Sequence, residues 1–169
     1  KTTGNKISGW QCYIYANAVY NQLFREWVGH ANGFAHSQTV VPGGGNALSY
    51  ELLVKAGVRC GAYLRTTGNA DGSYSSNVGH SMILLSYDAD SITYLEGNGD
   101  GYGLIRIAKR TWSDFNQRQL SGKSRYIAHI VQPKGDVYDG WYPVCAHGQY
   151  DSLGVCSHCG QPYDWQSTF

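Results

Sequence analysis

Long apolar runs are missing from the sequence. None approaches the roughly 20 residues that a membrane-spanning helix requires, so no membrane span is expected and the protein is read as soluble. Lys1 opens the chain without a charged-then-apolar leader, and a secreted protein with its signal peptide already trimmed is the expectation. Charge is sparse as well: charged residues make up 15% and the formal net is only +1. That small total hides an asymmetry, because residues 136 to 169 carry four Asp and neither Lys nor Arg, which leaves a basic body and an acidic tail. Arg106, Lys109, Arg110, Arg118, Lys123 and Arg125 crowd one stretch. They fit either a solvated basic face or a polyanionic partner such as an anionic cell-wall polymer. No nucleic-acid partner is expected, and the protein is read as a monomer. Complete disulfide pairing is excluded by the odd count of five cysteines. Internal repeats and low-complexity tracts are absent.

What is abundant is glycine, 22 residues, and tyrosine, 14 residues, against a hydrophobic share of 42%. That balance favours strands, turns and an α+β or β-rich fold. The length allows one main domain with a small satellite. We expect residues 1–135 to form the main domain, with the boundary at Pro133-Lys134-Gly135, and 136–169 to form the satellite.

Cys12, Tyr15 or Ala16, Val19, Leu23 and Trp27 recur at helical intervals, so a helix is expected from Gln11 to Trp27, led in by Ser8 and Gly9 and ended by Gly29. Residues 30–45 read as glycine-rich loop, and Asn46 as the cap of a short helix through Ala56 that Gly57 closes. An extended segment then runs through Tyr63, Leu64 and Arg65, with a polar loop at 67–79. His80 to Tyr87 and Ser91 to Asn98 form a hairpin, Leu104 to Ala108 a short strand, Thr111 caps a helix through Leu120, and Tyr126 to Val131 is a final strand.

Cys12 stands at the start of the long helix, where unpaired N–H groups and the macrodipole favour a thiolate. A buried cysteine packing as a small hydrophobe is the commoner explanation for any single such residue. The hairpin adds weight to the chemical one. With a three-residue loop at 88–90, Tyr87 faces Ser91, His80 stands opposite Asn98, and Glu96 shares that face one step along. A histidine with a carboxylate or amide to orient it is what a thiol nucleophile needs as its base. A regular two-residue turn would direct Glu96 away from His80, so the spacing predicts an odd loop or a compensating bulge.

Gly9-Trp10-Gln11-Cys12-Tyr13, then Gly79-His80-Ser81-Met82, then Leu95-Glu96-Gly97-Asn98 resemble, in order over roughly residues 8 to 131, the CHAP family of cysteine, histidine-dependent amidohydrolases and peptidases. That family lies within the NlpC/P60 and papain-like group. The resemblance implies a papain-like core in which an N-terminal helix carrying the nucleophile packs on an antiparallel β-sheet. It implies Cys12 as nucleophile, His80 as base, Glu96 as orienting group, Asn98 as a further polar member and Gln11 as the residue before the nucleophile, its side chain either facing the oxyanion or packing. It also implies a secreted or wall-associated bacterial enzyme acting on peptidoglycan or a peptide. Proteolysis of a host or neighbour protein, and a silent binding module on the same fold, stand as alternatives. The chain departs from the family pattern at Cys60-Gly61-Ala62-Tyr63, where Gly-Asp is usual, and in the insertion at 30–45. Cys60 is read as a core or strand cysteine.

The tail holds Cys145, His147, Cys156 and Cys159, with His158 inside the Cys156–Cys159 knuckle. Three sulfurs and one nitrogen suit a tetrahedral structural zinc in a small zinc-ribbon-like module. A disulfide with one remaining thiol is the rival. Four filled positions leave no open one, so no catalytic cofactor is expected. Trp141, Tyr142, Tyr163 and Trp165 add rings that could hold a glycan or peptide.

Overall fold

The computed structural model describes residues 11–28, 38–42, 46–69, 71, 73, 79–99 and 103–133. They form an α+β fold in which three helices pack on one antiparallel sheet of six strands. The strands are β1 (Gln38–Pro42), β2 (Tyr63–Thr67), β3 (His80–Tyr87), β4 (Ser91–Gly97), β5 (Ile105–Thr111) and β6 (Ile127–Val131), in the order β1-β6-β2-β3-β4-β5. No described helix is long and apolar enough to cross a membrane.

Helix α1 (Cys12–Phe24) is shorter than the expected span to Trp27. Arg25 adopts a left-handed conformation with φ 55° and returns its N–H to the Asn21 carbonyl. The Asn17 side chain then accepts from the Val28 N–H at 3.1 Å, so the chain turns back before another helical turn can form. The buried stripe runs through Cys12, Ala16, Asn17 and Tyr20, while Trp27 is 65% exposed. The periodicity was right and its phase slightly rotated.

Two further corrections concern the next segment. Residues 38–42, expected as loop, form the edge strand β1, because Val40 and Val41 are buried and Pro42, which has no N–H to donate, is tolerated on an edge strand. Helix α2 (Tyr50–Lys55) is capped by Ser49, whose hydroxyl accepts from the Leu52 N–H, and not by Asn46. Gly57 does close it, at φ 61°. Strand β5 also outruns its expected end at Ala108, reaching Thr111. Helix α3 (Trp112–Gln119) starts where the sequence places it, with the Thr111 hydroxyl accepting from the Asp114 N–H at 3.2 Å.

The sheet divides two cores. One face packs Leu64, Met82, Leu84, Tyr94 and Ile130 against Phe115 of α3 and Leu53 of α2. The other packs Tyr63, Ile83 and Val131 against Ala16 and Tyr20 of α1. Odd and even positions of the central strands separate between the two, as side-chain alternation requires. Cys60 is buried at 3%, in a turn before β2 and not within a strand.

The hairpin between β3 and β4 corrects the expected loop and keeps the expected register. Tyr87 faces Ile92 and not Ser91, and the turn is tight, with the Asp88 N–H donating to the Ser91 carbonyl at 2.9 Å. The Asp88 carboxylate accepts from the N–H groups of Asp90 and Ser91 at 2.9 and 2.7 Å. A register shift between Leu84 and Ser86 inserts one extra residue, after which Leu84 faces Tyr94 and Met82 faces Glu96. The bulge restores the parity that puts Glu96 on the same face as His80.

Candidate active site

Several chain segments converge at one end of the sheet: the last residues of β2 and β4, the first residues of β3, β5 and β6, and the N-terminus of α1. His80 is the first residue of β3 and Cys12 the first of α1. The site therefore takes its thiol from the helix on one face and its imidazole and carboxylate from the other.

The imidazole side is tightly built. His80 Nε2 lies 2.6 Å from Glu96 Oε2, with His80 only 4% exposed and Glu96 fully buried. Arg106, directly opposite Glu96 across the β4–β5 pair, donates from Nε to Glu96 Oε1 at 2.6 Å and brings its terminal nitrogen to the same distance. Gln119, the last residue of α3, donates to Glu96 Oε2 at 3.2 Å. A buried carboxylate is costly unless its lone pairs are filled, and here both oxygens are engaged. Burial raises the Glu96 pKa, but the hydrogen bond and charge of His80 and then those of Arg106 overcome it and hold it below its ordinary value.

The thiol side is built differently. Gln11, which precedes the helix, makes no side-chain cap, and the Cys12 sulfur makes a loose contact of 3.9 Å with the Gly79 carbonyl. Cys12 is a free thiol, 9% exposed. Burial pushes its pKa up, while the hydrogen bond and charge of His80, the Ser81 backbone and the Arg65 charge pull it down to about 7. Burial opposes charging of His80, yet its bonds and charges with Cys12 and Glu96 leave its pKa above the usual imidazole value. With Nε2 committed to Glu96, Nδ1 is the ring nitrogen left for the thiol. The two shifts together favour a thiolate–imidazolium pair.

Two glycines make room for this arrangement. A β-carbon at Gly79 would lie 2.2 Å from a terminal nitrogen of Arg65, whose other one donates to the Ser81 hydroxyl at 2.7 Å. A β-carbon at Gly99 would lie 2.6 Å from the Glu96 carboxyl carbon. A side chain at either glycine would therefore displace the charged group beside it.

Of the residues singled out in the sequence, Cys12, His80 and Glu96 come together. Asn98 does not bond His80. It sits at φ 58° at the end of β4, accepts from the Gly103 N–H at 2.9 Å and donates to Gln11 Oε1 at 3.4 Å, so it shapes the turn and steadies the residue before Cys12. Gln11 is exposed beside the thiol, its side-chain oxygen turned to Asn98. Sequence reasoning missed Arg106, Gln119 and Arg65. Arg106 was grouped with the surface bases, and only its cross-strand register with Glu96 would have separated it from them; Gln119 falls four residues after the buried Phe115, on the same helical face.

Among the described residues, no group of three or more His, Cys, Asp or Glu side chains is arranged to hold a metal. Cys145, His147, Cys156 and Cys159, the rival His158, and the aromatic residues of the tail lie outside the described residues. No family model, curated protein or solved structure matches the chain.

Proposed function

We propose that the chain is a cysteine amide hydrolase with a papain-like core, in which Cys12 is the nucleophile, His80 the general base and acid, and Glu96 the orienting group. The observation that carries the reading is the buried 2.6 Å contact from His80 to Glu96 next to a thiol whose pKa is held near 7. A merely structural histidine–glutamate pair would have no reason to adjoin an acidified cysteine at a helix N-terminus.

In the first step the Cys12 sulfur attacks the amide carbonyl carbon and the π electrons move to oxygen. The uncapped start of α1 supplies the backbone N–H of Cys12 as a donor towards that oxyanion, with Gln11 beside it. Collapse breaks the C–N bond, and the departing nitrogen takes the proton from His80, leaving a thioester. His80 then removes a proton from water, the hydroxide oxygen attacks the thioester, the C–S bond breaks, and thiolate and imidazolium are restored.

Peptidoglycan, cut at a peptide crosslink or at the sugar–peptide amide, is the substrate we infer, on the resemblance in the segments around Cys12, His80 and Glu96 and on the basic body of the chain. A secreted or wall-associated location follows from that substrate. The tail would hold one structural zinc through Cys145, His147, Cys156 and Cys159, as a docking or spacer module. Mass spectrometry of purified cell wall after incubation with the protein tests the reading. New amine and carboxyl termini should appear with the native chain and not with Cys12→Ala; a wall left intact alongside cleaved protein substrates would shift the assignment to proteolysis.

A further inference from the structure

We propose that Arg125 anchors an anion subsite beside Cys12, which receives a carboxylate of the substrate close to the scissile amide. The inference rests on reading Cys12 as the nucleophile and adds the substrate class that this nucleophile meets.

Arg125 lies two residues before β6, at the same end of the sheet as the thiol and imidazole. The next residue, Tyr126, donates its N–H to Thr67 at the end of β2, and neighbouring Thr66 pairs with His80. The guanidinium is held by its contacts: one terminal nitrogen donates to Gln119 Oε1 at 3.2 Å and to the Gln119 carbonyl at 3.4 Å. Gln119 in turn donates to Glu96, and Glu96 pairs with His80. A continuous hydrogen-bonded chain therefore fixes Arg125 relative to the reacting pair.

Among the described residues, charge at this end of the sheet is unbalanced. When the thiol and imidazole are ionised, Arg65, Arg106, Arg125 and His80 are cationic, and Cys12 and Glu96 are the anions that oppose them. Both Glu96 oxygens are already taken. The ion pairs among the described residues join His80 and Arg106 to Glu96, and Arg110 and Arg118 to Asp114; Arg125 takes part in none of them. Its Nε is buried without a hydrogen-bond partner among the described residues. Burial lowers the Arg125 pKa, the charge of Cys12 raises it, that of Arg65 lowers it and that of Glu96 raises it. A partly desolvated guanidinium with no acid of its own is unfavourable in the free protein and is relieved by an incoming anion. Its planar donors suit a carboxylate in particular.

Two alkylating agents of nearly equal shape test the subsite at Cys12 without requiring turnover. Iodoacetate carries a carboxylate where iodoacetamide carries an amide. The ratio of their alkylation rates at neutral pH and low salt should fall about fivefold or more in Arg125→Gln, from loss of a nearby favourable charge. Arg125→Lys should keep the ratio within about twofold, and Lys123→Gln, at an exposed neighbour, should leave it unchanged. Because unfolding would also erase the charge effect, the thermal transition of each variant is read beside the ratio, and Arg125→Lys keeps the charge while altering the side chain. An unchanged ratio in Arg125→Gln with a reactive Cys12 overturns the subsite alone; a Cys12 inert to iodoacetamide removes the nucleophile reading and the subsite with it.

Discussion

The two halves of the site are held in opposite ways. His80 and Glu96 are buried and joined at 2.6 Å, with Arg106 and Gln119 filling the remaining acceptor positions. Cys12 begins a helix without a side-chain cap and touches Gly79 at 3.9 Å. A base must be held in one orientation to accept and return a proton, and each added bond narrows its orientation. A nucleophile must approach a carbonyl and withdraw, and tight hydrogen bonding would stabilise it against reacting. The contrast implies that substitutions on the thiol side should cost chemistry and little stability, and that those around Glu96 should cost both.

The largest expected effect is on turnover. Cys12→Ala and His80→Ala should each remove about five to six powers of ten of amide hydrolysis, as members of a unit that fails together. Cys12→Ala should nevertheless melt within a few degrees of the native protein, and a collapse of its thermal transition would break the comparison. Glu96→Gln should lose about one to two powers of ten less, since the base it orients is still present.

The next effect is on folding. Glu96→Ala strands His80, Arg106 and Gln119 together, and removal of one partner from a buried pair costs about 3–5 kcal/mol, measurable by urea denaturation. A loss under about 1 kcal/mol would mean that the carboxylate behaves as an exposed one and that the contrast is false. The same carboxylate gives stability a pH dependence. Its folded pKa lies below the unfolded one, so its contribution is fully present above the unfolded carboxylate range and drains away as pH falls through the folded value. Glu96→Gln should flatten that acid limb.

Smaller still is the effect of the tail. Chelating zinc should unfold residues 136–169 and leave hydrolysis of a small soluble substrate within about twofold, if the four ligand positions are closed. Elemental analysis that finds no zinc, or a mass two daltons light from a disulfide, would refute the metal. The smallest effect belongs to the exposed Asp114–Arg118 pair, 2.6 Å apart, whose loss should leave the urea midpoint almost unchanged because solvent screens it.

Much of this arrangement was legible in the sequence because it rests on parity and local chemistry. The alternation of β3 and β4, the cap at Thr111 and the helix-leading Cys12 are all decided by near neighbours. The bulge at Leu85 was legible only as a requirement: Glu96 had to share a face with His80, and either an odd loop or an inserted residue would serve. Strand β1 escaped because its two valines are buried by strand β6, more than eighty residues away in sequence. Arg106 and Gln119 escaped because their roles depend on a carboxylate of β4, to which β5 and α3 bring them. The partners of Asn98 were not legible, because sharing a face does not fix where a left-handed residue directs its amide.

The most direct test of the central claim is the pH dependence of Cys12 alkylation by iodoacetamide in the native protein and in His80→Ala. The thiolate should titrate at about 7 in the native protein. Without His80, the largest causes that lower it are gone while burial still raises it and only the Ser81 backbone and the Arg65 charge still lower it, so the midpoint should move upwards, towards or beyond the ordinary thiol value of about 8.5. Identical midpoints in the two proteins would contradict the account, because Cys12 and His80 would then be neighbours and not a reacting pair.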